Sequence, residues 1–216
     1  MLNSFLLSGQ KNLNEMAKKV AELFVKVLAV AGVSIFSTML MPLPQDICWA
    51  KLLTIPIFEI YEEGKITLQE YLSLVVFHKK RPFTRNQFRR FMFAQSKPFS
   101  EMIELVAQLK LRLGMKIAVV SNEGRELNAY RIRKFKLDRF VDCFISSCYV
   151  HIRKPDVDIF RLALDIAQVE ASQAVFIDNT PMFVQIAQGL GIPSILHTDC
   201  KSTRAGLSAL GLDFLA

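Results

Sequence analysis

Three polar residues, far apart along the chain, stand at comparable places. Ser121, with Asn122 after it, follows the apolar run KIAVV; Asp178 follows AVFI; Lys154–Pro155 precedes a helix that opens near Asp156. A hydroxyl, an ammonium and a carboxylate that converge at one edge of a sheet can handle a phosphoryl group. Ser121 can donate its hydroxyl to a phosphate oxygen beside the free N–H groups of a helix start. Lys154 can neutralise charge that develops on a transferred group. Asp178 is a hard oxygen ligand suited to Mg²⁺, an ion that keeps several waters and needs only one or two carboxylates.

Convergence requires strands that run the same way. KIAVV (116–120), VDCFIS (141–146), AVFI (174–177) and PSIL (193–196) read as four short strands. Helices alternate with them. One starts at Ser100 with Met102, Leu105, Val106 and Leu109 on one face, and another spans Arg125–Phe135. DVDIFRLALDIAQ (156–168) carries Ile159, Leu162, Ala163, Ile166 and Ala167 at helical spacing. Asn179–Thr180–Pro181 opens a further helix, with proline at the first helical position, where a missing N–H does no harm. Such alternation implies an α/β fold, a Rossmann-like parallel sheet with right-handed crossovers. Ligands of such sheets sit at the carboxyl ends of the strands, where Ser121 and Asp178 fall.

Upstream the pattern is all-helical. FEIYEEGKITLQEYLSLVVF (58–77) reads as two helical pieces joined at Gly64, the second opened by a Thr67–Glu70 capping box. Thr84 caps a helix that carries Phe88, Phe91 and Met92.

Composition narrows the class. At 51% hydrophobic, with 17 phenylalanines, the chain has enough apolar surface to offset chain entropy, so disorder is rejected. The net charge of +7 suits anionic partners but identifies none. The basic stretch His78–Arg90 is read as a solvated helical face with its phenylalanines turned inward, so no nucleic acid is expected. Cys48, Cys143, Cys148 and Cys200 form no CxxC, and His78, His151 and His197 are scattered. Reduced thiols, no zinc site and a cytoplasmic location are expected.

The N-terminal third is different. Val27–Gln45 is an uncharged run of 19 residues, just long enough to span a bilayer. It contains Gly32, Pro42 and Pro44, and a buried strand Val27–Phe36 followed by a loop accounts for it better than a membrane span. Asn12–Phe24 has the spacing of an amphipathic helix.

Taken together, VVSNEGRE, RKPDVDIF and VFIDNTPMFVQIAQGLGI resemble, in order, the second, third and fourth motifs of the haloacid dehalogenase (HAD) superfamily. The ILHTD segment and the tail after it resemble the family's end, and the helical segment from Phe58 to about Gln95 resembles its small helical cap. The resemblance implies a HAD-like core over 98–216, a cap over 58–97 and an atypical region over 1–57. It also implies a phosphatase-type ancestry with a small phosphorylated substrate or phosphate as partner. By resemblance Lys154 is catalytic, Ser121, Asn122 and Lys154 bind substrate, and Asp178 with Asn179 holds Mg²⁺. The family often has a second acid where Asn179 stands, so metal affinity should be lower here.

The family's first motif is an apolar strand ending in Asp-x-Asp or Asp-x-Gly, whose first aspartate is the nucleophile. Two placements are open. In one, Val27–Val33 is that strand and Val30 or Ala31 occupies the nucleophile position. In the other, MLNSFLLSG takes the strand's place, and the aspartate falls at Met1 or is lost. Neither supplies a carboxylate. Between Glu22 and Glu59 the only acid is Asp46, with no strand ahead of it. By resemblance this strand is central, so something must pair with its neighbours' backbone groups, and Val27–Phe36 suits by composition. The expectation is a preserved fold with impaired or absent turnover; the acid-poor stretch 23–58 fits a non-native reading frame, and whether the chain is truncated or frame-disrupted stays open. The alternative is a non-catalytic phosphate- or nucleotide-binding or regulatory protein.

Overall fold

The computed structural model describes residues 27–31, 36–38 and 56–212. Five parallel strands form the main sheet in the order β5-β4-β1-β6-β7. They are β1 Val27–Ala31, β4 Lys116–Ser121, β5 Cys143–Ser146, β6 Ala174–Asp178 and β7 Ser194–Leu196. Strand β1 is central, aligning Val27–Ala31 with Lys116–Val120 of β4 and Val27–Val30 with Ala174–Ile177 of β6. Both flanking strands therefore find backbone partners, and no unpaired slot is left in the middle of the sheet.

Burial alternates along the strands. Ile117, Val119, Val175 and Ile177 face one apolar cluster; Ala118, Val120, Ala174 and Phe176 face the other. Helices cover both faces, so β4 and β6 read as continuous apolar runs. On the first face lie α4 Ser100–Leu113, with Met102, Leu105, Val106 and Leu109 buried, and α9 Cys200–Ala209, with Leu207 buried. On the second lie α7 Val157–Ala167 and α8 Pro181–Gly189. There Phe160 meets Phe176 edge to face at 5.2 Å, in space left by Ala118 and Ala174. Helix α5 Arg125–Phe135 follows β4, and a single turn, α6 Ser147–Val150, follows β5.

A separate helical unit precedes this sandwich: α1 Pro56–Glu62, α2 Leu68–Val75 and α3 Arg85–Ala94. It has its own apolar cluster of Tyr61, Leu68, Tyr71, Leu72, Val76 and Phe88. The Thr67–Glu70 capping box forms as expected, and Thr84 forms another with Gln87. Each box satisfies two otherwise orphaned helix-start donors.

Close backbone approach joins the unit to the sandwich. Gly64, at φ +69°, lies against the Cys148 carbonyl, and Gly124 lies against the Tyr61 ring. The Ser147 hydroxyl donates to the Glu62 carbonyl (2.6 Å) and accepts from the Glu123 N–H (3.0 Å). Glu126 accepts from the Leu68 N–H (3.1 Å) and the Tyr61 hydroxyl (3.4 Å).

The structure amends three expectations. The single strand Val27–Phe36 is instead two: β1 ends at Ala31, and β2 Phe36–Thr38 pairs antiparallel with β3 Ser96–Pro98 in a separate two-stranded sheet. Pairing partners, not composition, decide where a strand ends. On α7, Phe160 is buried and Ile166 is 49% exposed, because the helix presents its 159–160–163–167 arc to the sheet. Strand 141–146 starts later, at Cys143. The expected helix Asn12–Phe24, and the apolar run 27–45 apart from β1 and β2, lie outside the described residues. Among the described residues no helix is long and apolar enough to cross a membrane. Cys143, Cys148 and Cys200 are free thiols.

Gly124→Ala should lower stability by about 1–3 kcal/mol through overpacking against Tyr61. Gly189→Ala, where an added methyl meets nothing, should be neutral or mildly stabilising. Urea unfolding of the two variants measures the difference.

Candidate active site

At the carboxyl end of the sheet Lys154 and Asp178 meet. The Lys154 ammonium donates to Asp178 Oδ2 at 2.7 Å, and the two side chains are 2% and 1% exposed. Strand β6 delivers Asp178, whose Oδ1 accepts the Thr180 N–H at 2.8 Å, fixing the carboxylate at the turn into α8. Lys154 lies on the connection between α6 and α7, next to a cis Lys154–Pro155 peptide. Its ammonium also approaches the rings of Phe183 (4.9 Å to the centroid) and Phe176 (5.5 Å). Burial pushes the lysine below its usual pKa, against the opposing pull of the Asp178 carboxylate.

Asn122 ties the Lys154 connection to the end of β4. Its amide N–H donates to the Lys154 carbonyl (2.7 Å), and its carbonyl oxygen accepts the Lys154 N–H (2.8 Å). One side chain thus satisfies both backbone groups of the residue it positions. Ser121, at the end of β4, is buried and donates to the Ser146 hydroxyl at 3.2 Å. Ser146 ends the adjacent β5 and also accepts from Asn128 (2.9 Å).

One further buried ion pair and one partly exposed cluster lie on elements next in the chain to the site residues. Glu123 pairs with Arg131, whose Nε donates to the Ser96 hydroxyl at 3.0 Å. Arg153 reaches across to the helical unit and donates to Glu59 and Glu62, each at 2.9 Å. Burial raises the Glu123 carboxyl to about 7, against the Arg131 guanidinium and with a smaller push in the same direction from Glu62. Glu62 is raised too, chiefly by burial and against Arg153.

Of the expected residues, Lys154 and Asp178 are in direct contact. The Ser121 hydroxyl bonds Ser146 instead of either of them, and Asn122, whose amide is committed to the Lys154 backbone, is a positioning group. Asn179 is adjacent and exposed. Among the described residues no group of three or more His, Cys, Asp and Glu side chains is placed to hold a metal ion. The sequence reading missed Ser146 and Ser147. Ser146 ends its strand, as Ser121 does, and Ser147 comes next, so looking at the end of every strand would have found them.

Comparison with known proteins fits this geometry. The family model for haloacid dehalogenase-like hydrolases matches residues 49–197. The chain belongs to the haloacid dehalogenase-like hydrolase family. A phosphoglycolate phosphatase of Cupriavidus necator is 28% identical over 104 residues, covering 48% of this chain and 45% of that protein. A phosphorylated carbohydrates phosphatase of Thermotoga maritima is 24% identical over 141 residues, covering 65% and 61%. The chain thus spans less than two thirds of the length of these relatives. Among solved structures, a HAD family enzyme from Bacteroides thetaiotaomicron in complex with magnesium and inorganic phosphate superposes with a TM-score of 0.61 at 20% identity, covering 79% of this chain and 92% of that one. An L-2-haloacid dehalogenase superposes with a TM-score of 0.60 at 12% identity, covering 79% and 83%. These likenesses show the HAD fold.

The raised Glu123 pKa has a consequence for stability. The folded state holds this proton up to about pH 7, whereas the ordinary carboxyl releases it near 4.5. The folded state therefore binds more protons between these values, and stability falls as pH rises through that window and levels off above it. Melting temperatures from pH 5 to 8 should show the decline, and Glu123→Gln should flatten it, leaving the same-signed slope from Glu62 and the opposite one from His197, whose pKa burial lowers. An unchanged slope in that variant would contradict the assignment.

Proposed function

We propose that this chain is a phosphatase-type member of its family whose turnover is impaired or lost. The observation that carries this reading is the sealed Lys154–Asp178 pair, which sits beside a central strand without an acid. A phosphoryl-transfer site needs a carboxylate nucleophile opposite a cation that an anionic substrate can reach. Strand β1, between β4 and β6, reads Val-Leu-Ala-Val-Ala and carries no carboxylate. The lysine that would meet the substrate is engaged with Asp178 and almost fully buried. Phosphatase ancestry is supported by the Cupriavidus and Thermotoga relatives and by the order Ser121, Lys154, Asp178. The helical unit, expected over 58–97, corresponds in this reading to the cap, and the sandwich over 98–216 to the core.

Magnesium, present in the Bacteroides structure and expected here at Asp178 and Asn179, does not fit these residues as they stand. Both Asp178 oxygens already accept hydrogen bonds, one of them from an ammonium, and the carboxylate is sealed. An ion would have to displace Lys154, with one carboxylate and one neutral amide to hold it.

Of the alternative, a non-catalytic phosphate- or nucleotide-binding or regulatory protein, the sealing supports only the lack of turnover, since it closes Lys154 to a phosphate as well. The ion pair holds the fold whether or not chemistry remains.

With p-nitrophenyl phosphate and Mg²⁺, the expected outcome is no hydrolysis above the buffer rate. Hydrolysis that disappears in Ser121→Ala or Asp178→Ala would show a working site. A second measurement tests the ion pair itself. Lys154→Met should cost about 3–5 kcal/mol in urea unfolding, because it leaves a buried carboxylate unpaired. Lys154→Met combined with Asp178→Asn should recover a large part of that loss.

A further inference from the structure

Of the 27 basic and 20 acidic residues, seven basic and no acidic ones fall within 71–100; the remaining twenty of each sign cancel. The whole excess charge of the chain thus belongs to the end of α2, the connection after it, α3 and the short β3 segment. Lys79, Lys80, Arg85, Arg89 and Arg90 are exposed there, and none of them has an acidic partner among the described residues.

A cavity of about 630 Å³ opens in this basic surface, bounded by the first turns of α2, α3 and α5. Its volume lies within the usual range for small-molecule sites. Leu68 and Leu72 give it an apolar wall, and Arg85 and Arg89 line it one helical turn apart. The one acid in the lining, Glu126, is already engaged by the Leu68 N–H and the Tyr61 hydroxyl. Arg85 is held in place: its Nη1 donates to the Ser73 hydroxyl (2.9 Å) and the Gln69 carbonyl (3.4 Å), and its guanidinium stacks over Phe77 at 4.8 Å. Its other nitrogens have no partner among the described residues, and Arg89 has no hydrogen-bond or ion-pair partner among them at all. Two guanidinium groups at i and i+4 repel one another unless an anion lies between them.

We propose that this cavity binds a small polyanion, a molecule carrying two or more linked phosphoryl groups. Arginine forks match phosphate oxygens in paired hydrogen bonds, and two arginines one turn apart match two adjacent phosphoryl groups. The surrounding lysines raise the local concentration of such an anion. A single-stranded nucleic acid fits less well. It needs aromatic faces on which to stack, and Phe88 is buried while Phe77 is covered by Arg85. The site does not depend on the strand-end cluster, since none of Ser121, Lys154 and Asp178 lines it.

The test is calorimetric titration of the full chain with inorganic pyrophosphate at low and at physiological salt. Binding is expected, weakened by about tenfold or more in Arg85→Gln/Arg89→Gln, the scale of lost charge-assisted hydrogen bonds. Arg89→Gln alone removes no contact within the described fold, so its loss of binding cannot be ascribed to unfolding. Lys79→Gln/Lys80→Gln removes equal charge outside the cavity and should weaken binding much less. Absence of pyrophosphate binding overturns the proposal. So does equal loss in the lysine pair, which would mean only a diffuse field. Loss in Ser121→Ala as large as in the arginine variant also overturns it, by placing the anion at the strand ends. A single-stranded RNA oligonucleotide that binds more tightly than pyrophosphate would assign the surface to nucleic acid instead.

Discussion

An ammonium and a carboxylate held 2.7 Å apart, each almost wholly removed from water, set the terms for the carboxyl end of this sheet. Neither ion is tolerable there without the other. Desolvation costs several kcal/mol per ion, and only close contact with good hydrogen bonding offsets it. The neighbouring structure keeps that contact in place. Asn122 grips both backbone groups of Lys154, Thr180 holds the far oxygen of Asp178, and Phe176 and Phe183 enclose the ammonium. The same enclosure leaves the lysine almost no surface for an external anion, and the proposed loss of turnover rests on that.

The fold is carried by its central strand. Strand β1 satisfies the backbone of both β4 and β6, and those two strands end in Ser121 and Asp178. A strand of Val-Leu-Ala-Val-Ala serves backbone pairing as well as any apolar strand would. Hydrogen bonding along a ladder does not depend on the residue at its tip, whereas chemistry does. Family membership and fold can therefore persist on a central strand, Val27–Ala31, that carries no acid.

Charge is distributed unevenly in a way that the net value conceals. The sandwich and its connections pair their charges closely, as in Glu123–Arg131 and Arg153 with Glu59 and Glu62. Lys79, Lys80, Arg85, Arg89 and Arg90 of the helical unit have no acidic partner among the described residues. If the strand-end cluster is closed, the open basic cavity on α2 and α3 is the more accessible place for an anion, and the proposed polyanion site follows from that contrast.

Sequence alone determined the alternation of strands and helices, the buried face of α4, the Thr67 and Thr84 helix starts, the placement of Ser121 and Asp178 after apolar runs and that of Lys154 ahead of a helix. These are local matters: periodicity of 2 or 3.6, capping chemistry and turn residues act within a few positions. Tertiary structure decided what depends on partners distant in the chain. It ended β1 at Ala31, its pairing stopping short of the ends of β4 and β6, and paired Phe36–Thr38 with Ser96–Pro98, a partner distant in the chain. It turned Phe160 inward and Ile166 outward by the angle at which α7 meets the sheet. It placed Asn122 on the Lys154 backbone rather than in an open pocket, and it joined Lys154 to Asp178. A side chain's electrostatic partner is fixed by the crossing of elements in space, and no local pattern encodes that.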